Sequence, residues 1–365
     1  MPLLSAAERR LFSQPHGGNI QTIAHFLGMA PEDFIDFSAN INPFGPPPEI
    51  ISALRASAGS IQNYPELNAG AFVDALAARL ALTPECLAPG NGSAELLYWL
   101  AAWIKPRRVL IVEPSFADYR RAAAANGCEI VPLGLEEENG FELDWASFEQ
   151  SLDAIDLVIV GRPNNPTGNL FDAGGLSDIA ARHRRTIFIV DEAFIDFVDG
   201  VQPAVPTMTA GANLIILRSL TKIYAIPGLR LGYLVAAGNM ARRLNAARPP
   251  WPLGAGQIAA GVAALRLDGF IESSRERLAV ERRWLLSELR AFTNLRPFEG
   301  TANFILIKIL EPKIDSACLT MALAKRGIYV RDCASFNGLS DSYVRIAVRR
   351  REDNKQLVRI LKEIL

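Results

Sequence analysis

The chain is poor in the residues that build the simplest sites. It has only three histidines and four cysteines, and the cysteines, at 86, 128, 318 and 333, form no C-x-x-C pair. This spacing offers no metal-ligand cluster and reads as free thiols in a reducing compartment, hence as a cytoplasmic protein. Lys and Arg are spread along the whole chain and the net charge is −1, which argues against a nucleic-acid surface. The longest apolar runs, such as LLYWLAAWI at 96–104, are too short to span a bilayer. MPLLSAAERRLF lacks the ordered basic, apolar and small-residue regions of a secretory signal. There is no internal repeat, no low-complexity segment and no G-x-x-x-x-G-K-[ST] phosphate loop.

What the chain does have is apolar bulk arranged in two alternating patterns. Half of it, 50%, is hydrophobic, enough for a large core and, at this length, two domains. Strand-length apolar runs stand at 109–112 (VLIV), 129–133 (EIVPL), 157–160 (LVIV), 186–190 (TIFIV), 214–217 (LIIL) and 232–236 (GYLVA). Helical stretches lie between several of them, among them AELLYWLAAWI, SFADYRRAAAANG and LSDIAARHRR, with Gly127 where a left-handed cap belongs. Continuous apolar strands alternating with helices predict an α/β fold with a mostly parallel sheet covered on both faces. RPPWPLG at 248–254 is the strongest interruption. The expected organisation is an N-terminal arm over residues 1–45, a large domain over 46–250 and a smaller α+β domain over 251–365. The arm, rich in turn formers, is expected to wrap over the main domain and its site.

In an open α/β sheet, ligands sit beyond the carboxyl ends of the strands. After those runs come EPSFADY, GRPNNPTG, DEAF and RSLTK. A further segment, PGNGSAELL at 89–97, nearly matches the dinucleotide fingerprint, with Glu95 at its third glycine position. Glu113 even stands where a ribose-binding acid would. Against that, ALTPECLA ahead of it is a poor strand, with Pro84 and no β-branched run. The alternatives for PGNGSAE are a phosphate-binding helix start or a simple capped helix. Taken singly, Asp191 can be a turn residue and NNPTG only a turn. His25 and His183 read as an ordinary helix residue and part of a basic face.

Together the strand ends form a more specific set. Lys222 can form a Schiff base with an aldehyde. Asp191, ending an otherwise apolar strand, can pair with a pyridinium nitrogen and make the ring an electron sink. Asn165 can donate to a phenolate oxygen, and Phe116 can stack on the ring. Ser219, Thr221 and Arg230, with the helix start at Gly92, Ser93 and Ala94, can hold a phosphate dianion. That set describes pyridoxal 5′-phosphate.

GRPNNPTG, then DEAF, then SLTK with GLRLGY, resembles the fold-type I pyridoxal-phosphate aminotransferase family over nearly the whole chain. Within it the chain looks like the branch of histidinol-phosphate aminotransferases and threonine-phosphate decarboxylases. The resemblance implies that Lys222 anchors the cofactor, with Asp191 and Asn165 on its ring. It implies a homodimer with shared sites, in which Tyr64 of NYPE reaches the neighbouring subunit's cofactor phosphate. It places Arg345 on the substrate's α-carboxylate, Arg331 on a second anionic group, and Asn165 and Asn40 beside the substrate. The chain departs from many relatives in having Phe194 where a tyrosine hydroxyl helps hold the phenolate. HGGN at 16–19 and DFSANINPFGPP at 36–47 resemble the decarboxylases more, which would put His16 and Gly17 on a substrate phosphate. The activity so implied is decarboxylation of L-threonine O-3-phosphate to (R)-1-amino-2-propanol O-phosphate in cobalamin biosynthesis. Histidinol-phosphate aminotransferase is the nearest alternative. A nicotinamide oxidoreductase and a non-catalytic module on the same fold are rivals from other classes.

Overall fold

The computed structural model describes residues 4–200 and 213–365. Its centre is a seven-stranded sheet in the spatial order Leu87–Gly90, Gly232–Ala236, Leu214–Ser219, Ile187–Asp191, Leu157–Gly161, Arg108–Glu113, Glu129–Gly134. The last five are mutually parallel, while Gly232–Ala236 runs antiparallel to its neighbours on either side. The chain reverses its direction of travel across the sheet between Arg108–Glu113 and Leu157–Gly161. A crevice at the carboxyl ends is expected at such a point.

Side-chain alternation explains why the strands read as unbroken apolar runs. Leu110, Val112, Val158, Val160, Phe188, Val190 and Ile216 belong to one core. Their neighbours Val109, Ile111, Leu157, Ile159, Ile189, Ile215 and Leu217 belong to a second core on the opposite face. With a period of two, a strand buried on both faces has no polar position left.

Two features differ from the expectations. ALTPECLA at 81–88, read as a poor strand, instead holds a short helical turn, Pro84–Cys86, that runs into the strand Leu87–Gly90. It pairs on one side only, and Pro89 is tolerated because an edge strand has backbone groups with no ladder partner. Because it runs antiparallel to Gly232–Ala236, the Gly92 turn does not open a parallel dinucleotide-binding unit. The N-terminal segment, expected over the main domain, packs chiefly against the C-terminal residues. Phe12, Ile23, Ala24 and Phe34 form a small core with Met321, Ala324 and Tyr329, and Ile35–Asp36 pairs with Ile328–Tyr329. Only its turns, around 14–18 and 38–42, reach the strand ends. The C-terminal part carries a four-stranded antiparallel sheet, Arg331–Asp332, Tyr343–Ala347, Phe304–Ile309 and Leu295–Pro297, which brings Arg331 opposite Arg345. Among the described residues no helix is long and apolar enough to cross a membrane.

A chain of buried charges links three strand ends. Arg162 meets Glu192 at 2.7 Å, Arg218 meets the other oxygen of Glu192 at 3.3 Å, and Arg218 reaches Asp196 at 2.6 Å. Glu192 is 0% exposed. Taking away one partner of such a group strands the others without compensation. Glu192→Gln should therefore lower stability by about 3 kcal/mol or more, read from the urea midpoint of the cofactor-free protein. A loss below about 1 kcal/mol would mean the arginines are satisfied without Glu192.

Candidate active site

The strand ends assemble as a single site. Leu214–Ser219 runs directly into a one-turn helix, Leu220–Ile223, that carries Lys222. Lys222 Nζ donates to Ser219 Oγ at 3.3 Å, and Ser219 and Thr221 hydroxyls lie 2.6 Å apart. Burial pushes the ammonium from its ordinary 10.5 down to about 8; Asp191 opposes the shift and Arg230 adds to it. The amine is still mostly protonated at neutral pH, but far closer to its neutral, nucleophilic form than an ordinary lysine. Phe194 presents its ring 5.6 Å from Nζ and brings no hydroxyl to the site.

The Gly92 turn supplies the other wall of an anion cradle. Gly92 has φ +84° and no side chain to cap the helix Ser93–Ile104, so the first-turn amides of Ser93 and Ala94 face outward without a side-chain acceptor. A Cβ on Gly92 would fall 2.8 Å from an Arg230 guanidinium nitrogen, and one on Gly232 would fall 2.7 Å from the Ser93 nitrogen. Both glycines thus let backbone and guanidinium close on one point. Two hydroxyls, two amides and Arg230 make a donor set suited to a phosphate.

Asp191 is buried at the end of its strand. Tyr119 donates its hydroxyl to Oδ2 at 2.9 Å, and the Ala193 amide donates to Oδ1 at 3.0 Å. Burial raises the carboxyl's pKa, opposed by Lys222, the Tyr119 hydrogen bond and the Ala193 amide. Phe116 stands at the start of the same helix as Tyr119, its ring edge-on to it at 5.7 Å. Glu113, the would-be ribose acid, is held by Arg120 at 2.9 and 3.0 Å and is not available to a ligand.

Opposite this wall stand two buried arginines. Arg345 donates to Asn165 Oδ1 and, at 2.8 Å, to the Ser38 carbonyl, while its Nε has no partner. Burial lowers its pKa to about 10. Arg331, 2% exposed, donates to the Gln14 carbonyl and to Ser335 Oγ at 2.7 Å, and burial lowers its pKa as well. Among the described residues neither forms an ion pair. Buried guanidinium groups with only neutral acceptors are poised for anions from outside. Asn40 is buried with its Oδ1 unpartnered.

His16 sits at the edge of this group, its ring 5.7 Å from Phe116 and its Nε2 3.4 Å from Asp118 and 3.0 Å from Arg121. Gly17 is required where it stands, because a Cβ would lie 2.2 Å from the Ser38 carbonyl oxygen. A cavity of about 230 Å³ opens here, walled by Pro15, Ser115, Phe116, Arg121, Ser335 and Asn337. Tyr64 is the predicted residue that the fold does not bring in. It is 79% exposed and stacked on Trp251 at 4.4 Å, with no hydrogen bond to the cradle of its own chain.

Sequence reasoning missed Tyr119, although its place three residues after Phe116 at a helix start was a usable signal. It also missed Asn42, which donates through its amide to the Lys222 carbonyl at 3.0 Å and through its side chain to the Ile223 carbonyl at 2.7 Å. The Ser38 carbonyl carries no side-chain signal at all.

Residues 32–361 match the family model for aminotransferases of class I and II. The chain is 37% identical to a threonine-phosphate decarboxylase of Salmonella typhimurium, over 97% of this chain and 98% of the relative. In fold it is similar to the histidinol-phosphate aminotransferase of Clostridium acetobutylicum, with a TM-score of 0.83 at 29% identity, covering 90% of this chain and 98% of that one. It is also similar to the L-threonine-O-3-phosphate decarboxylase of Porphyromonas gingivalis, with a TM-score of 0.81 at 25% identity and the same coverage. The chain belongs to the class I and II aminotransferase family, of fold-type I, and is a pyridoxal-phosphate enzyme.

Proposed function

We propose that this protein decarboxylates L-threonine O-3-phosphate to (R)-1-amino-2-propanol O-phosphate and CO2, a step of cobalamin biosynthesis, as a cytoplasmic homodimer with shared sites. The observation that carries the substrate class is the pair Arg331 and Arg345, buried and without a carboxylate among the described residues. One anion for each fits a substrate with a carboxylate at one end and a phosphate at the other. The 37% identity to a threonine-phosphate decarboxylase favours that substrate within the class.

Bound pyridoxal phosphate supplies a sink for the electron pair released at the substrate's Cα. Ser219, Thr221, Arg230 and the amides of Ser93 and Ala94 hold its phosphate. Asp191 would meet its ring nitrogen, Asn165 its phenolic oxygen and Phe116 its ring. With Phe194 in place of a tyrosine, Asn165 has no hydroxyl partner from that position. Lys222 would be the covalent anchor, and its amine could deliver a proton to Cα. Arg345 takes the α-carboxylate, with Asn165 and Asn40 beside it. Arg331, His16 and Gly17 hold the distal phosphate. The bond that breaks is the one held perpendicular to the ring, so selectivity between carboxylate and hydrogen rests on this distal grip.

Three outcomes test the reading. The enzyme given threonine phosphate should release CO2 and aminopropanol phosphate, and given histidinol phosphate with 2-oxoglutarate should form little glutamate. Efficient glutamate formation without CO2 would instead establish the aminotransferase.

Borohydride reduction of the loaded enzyme should label Lys222. The low pKa also has a stability signature. A buried ammonium costs the fold fully below about 8 and less as pH rises towards 10.5, where the unfolded chain loses the proton too. Lys222→Met should thus raise the Tm of the cofactor-free protein at neutral pH, with a gain that shrinks between those two values. A gain independent of pH would contradict the desolvation of Lys222.

Tyr64 is proposed to serve the partner subunit. Co-expressing Lys222→Ala with Tyr64→Ala should then yield mixed dimers with one intact site each and restore activity. Activity no higher than that of Tyr64→Ala alone would place Tyr64 outside the shared site.

A further inference from the structure

We infer that Tyr119 is a positioning residue for Asp191: its hydroxyl holds the carboxylate ionised and aimed at the ring nitrogen of the bound cofactor. This rests on the reading of Asp191 given above.

The geometry is specific. Tyr119 is 2% exposed, and its ring is part of the second core, beside Leu97, Ile111 and Ile159. Its hydroxyl reaches Asp191 Oδ2 at 2.9 Å across two parallel strands. Gly161 stands in register with Asp191 on the strand between, and a Cβ there would fall 3.1 Å from the Tyr119 oxygen. A strand position whose side chain would crowd this hydroxyl is therefore a glycine. The Ala193 amide holds the other carboxylate oxygen at 3.0 Å. Each oxygen takes one fixed protein donor and keeps lone-pair capacity for a ligand. Phe116, one helical turn back, fixes the tyrosine ring edge-on, so one turn of helix presents both an aromatic face and the hydroxyl that orients the acid.

The charge argument points the same way. Burial favours the neutral carboxyl, and a neutral carboxyl cannot pair with a pyridinium. The titratable groups facing Asp191 are Lys222 from the helix Leu220–Ile223 and Tyr119 from the helix Ala117–Ala125; Asp118 in turn faces Tyr119. With the cofactor bound, Lys222 would no longer present a free ammonium to Asp191, so this help would be altered as the site is loaded. Tyr119 stays a donor throughout, because burial beside Asp191 raises its own pKa well above the ordinary value. Hydrogen bonds to a charged group are worth more than neutral ones, so the loss of this one should register on cofactor binding.

Tyr119→Phe removes the hydroxyl and keeps the ring. The dissociation constant is measured across pH for wild type and variant with two ligands: pyridoxal phosphate, and an analogue in which carbon replaces the ring nitrogen. The expected result is a loss of about tenfold for pyridoxal phosphate at acid pH, with the acid limb of binding moved up by about one unit. The carbon analogue should bind both proteins alike. Inorganic phosphate, which needs only the cradle, should protect both equally against thermal unfolding, showing the variant folded. An equal loss for both ligands at every pH would make the hydroxyl a packing group and overturn the inference, as would no loss at all. The assignment of Asp191 itself fails differently: wild type would then bind both ligands alike, and Asp191→Ala would change neither.

Discussion

The buried run Arg162–Glu192–Arg218–Asp196 is the constraint on which the site depends. Each motif after a strand contributes one residue upward and one sideways. Asp191 faces Tyr119 while Glu192 turns to the arginines; Ser219 joins the cradle while Arg218 joins the ion chain; Asn165 meets Arg345 while Arg162 grips Glu192 and the Phe171 carbonyl. Three strand ends that must hold catalytic groups in fixed relative positions are thus cross-linked just beside them. Burying charge is expensive, and a hydrophobic cluster could serve stability as well. Directional, paired charges do something an oily cluster does not: they fix register.

Much of this was readable in the sequence, for a physical reason. Strands buried on both faces show as unbroken apolar runs, and any polar residue ending such a run has to be justified by a partner. Asp191, Lys222 and Asn165 stood out on that ground. The rest was hidden where signals are weak or long-range. The strand Leu87–Gly90 is short and contains Pro89, permitted only because it lies at an edge. The Ser38 carbonyl acts through its backbone, which every residue has. Asn42 reads as one more polar residue in a turn-rich segment, although it pins the carbonyls of Lys222 and Ile223. Arg331 and Arg345 were expected as site residues only through the family resemblance, and the neutral identity of their partners came only with the structure.

The N-terminal segment is the clearest case of function arising between distant parts of the chain. Its apolar residues pack on the C-terminal helix Ser316–Ala324, while its turns face the strand ends of the large sheet. Through Ser38 it touches Arg345 and Gly17 together; through Asn42 it touches the Lys222 helix. A shift in how the segment seats would be felt at Arg345 and at the helix that carries Lys222, with no change in the sheet.

Arg331 and Arg345, which form no ion pair among the described residues, carry positive charge that small oxyanions in solution could balance. Sulfate or phosphate in a purification buffer would be attracted to this charge. Such ions would both steady the protein in storage and compete with what it is meant to bind. Affinities measured in phosphate buffer would then describe an exchange of anions, and the buffer would have to be counted among the reactants.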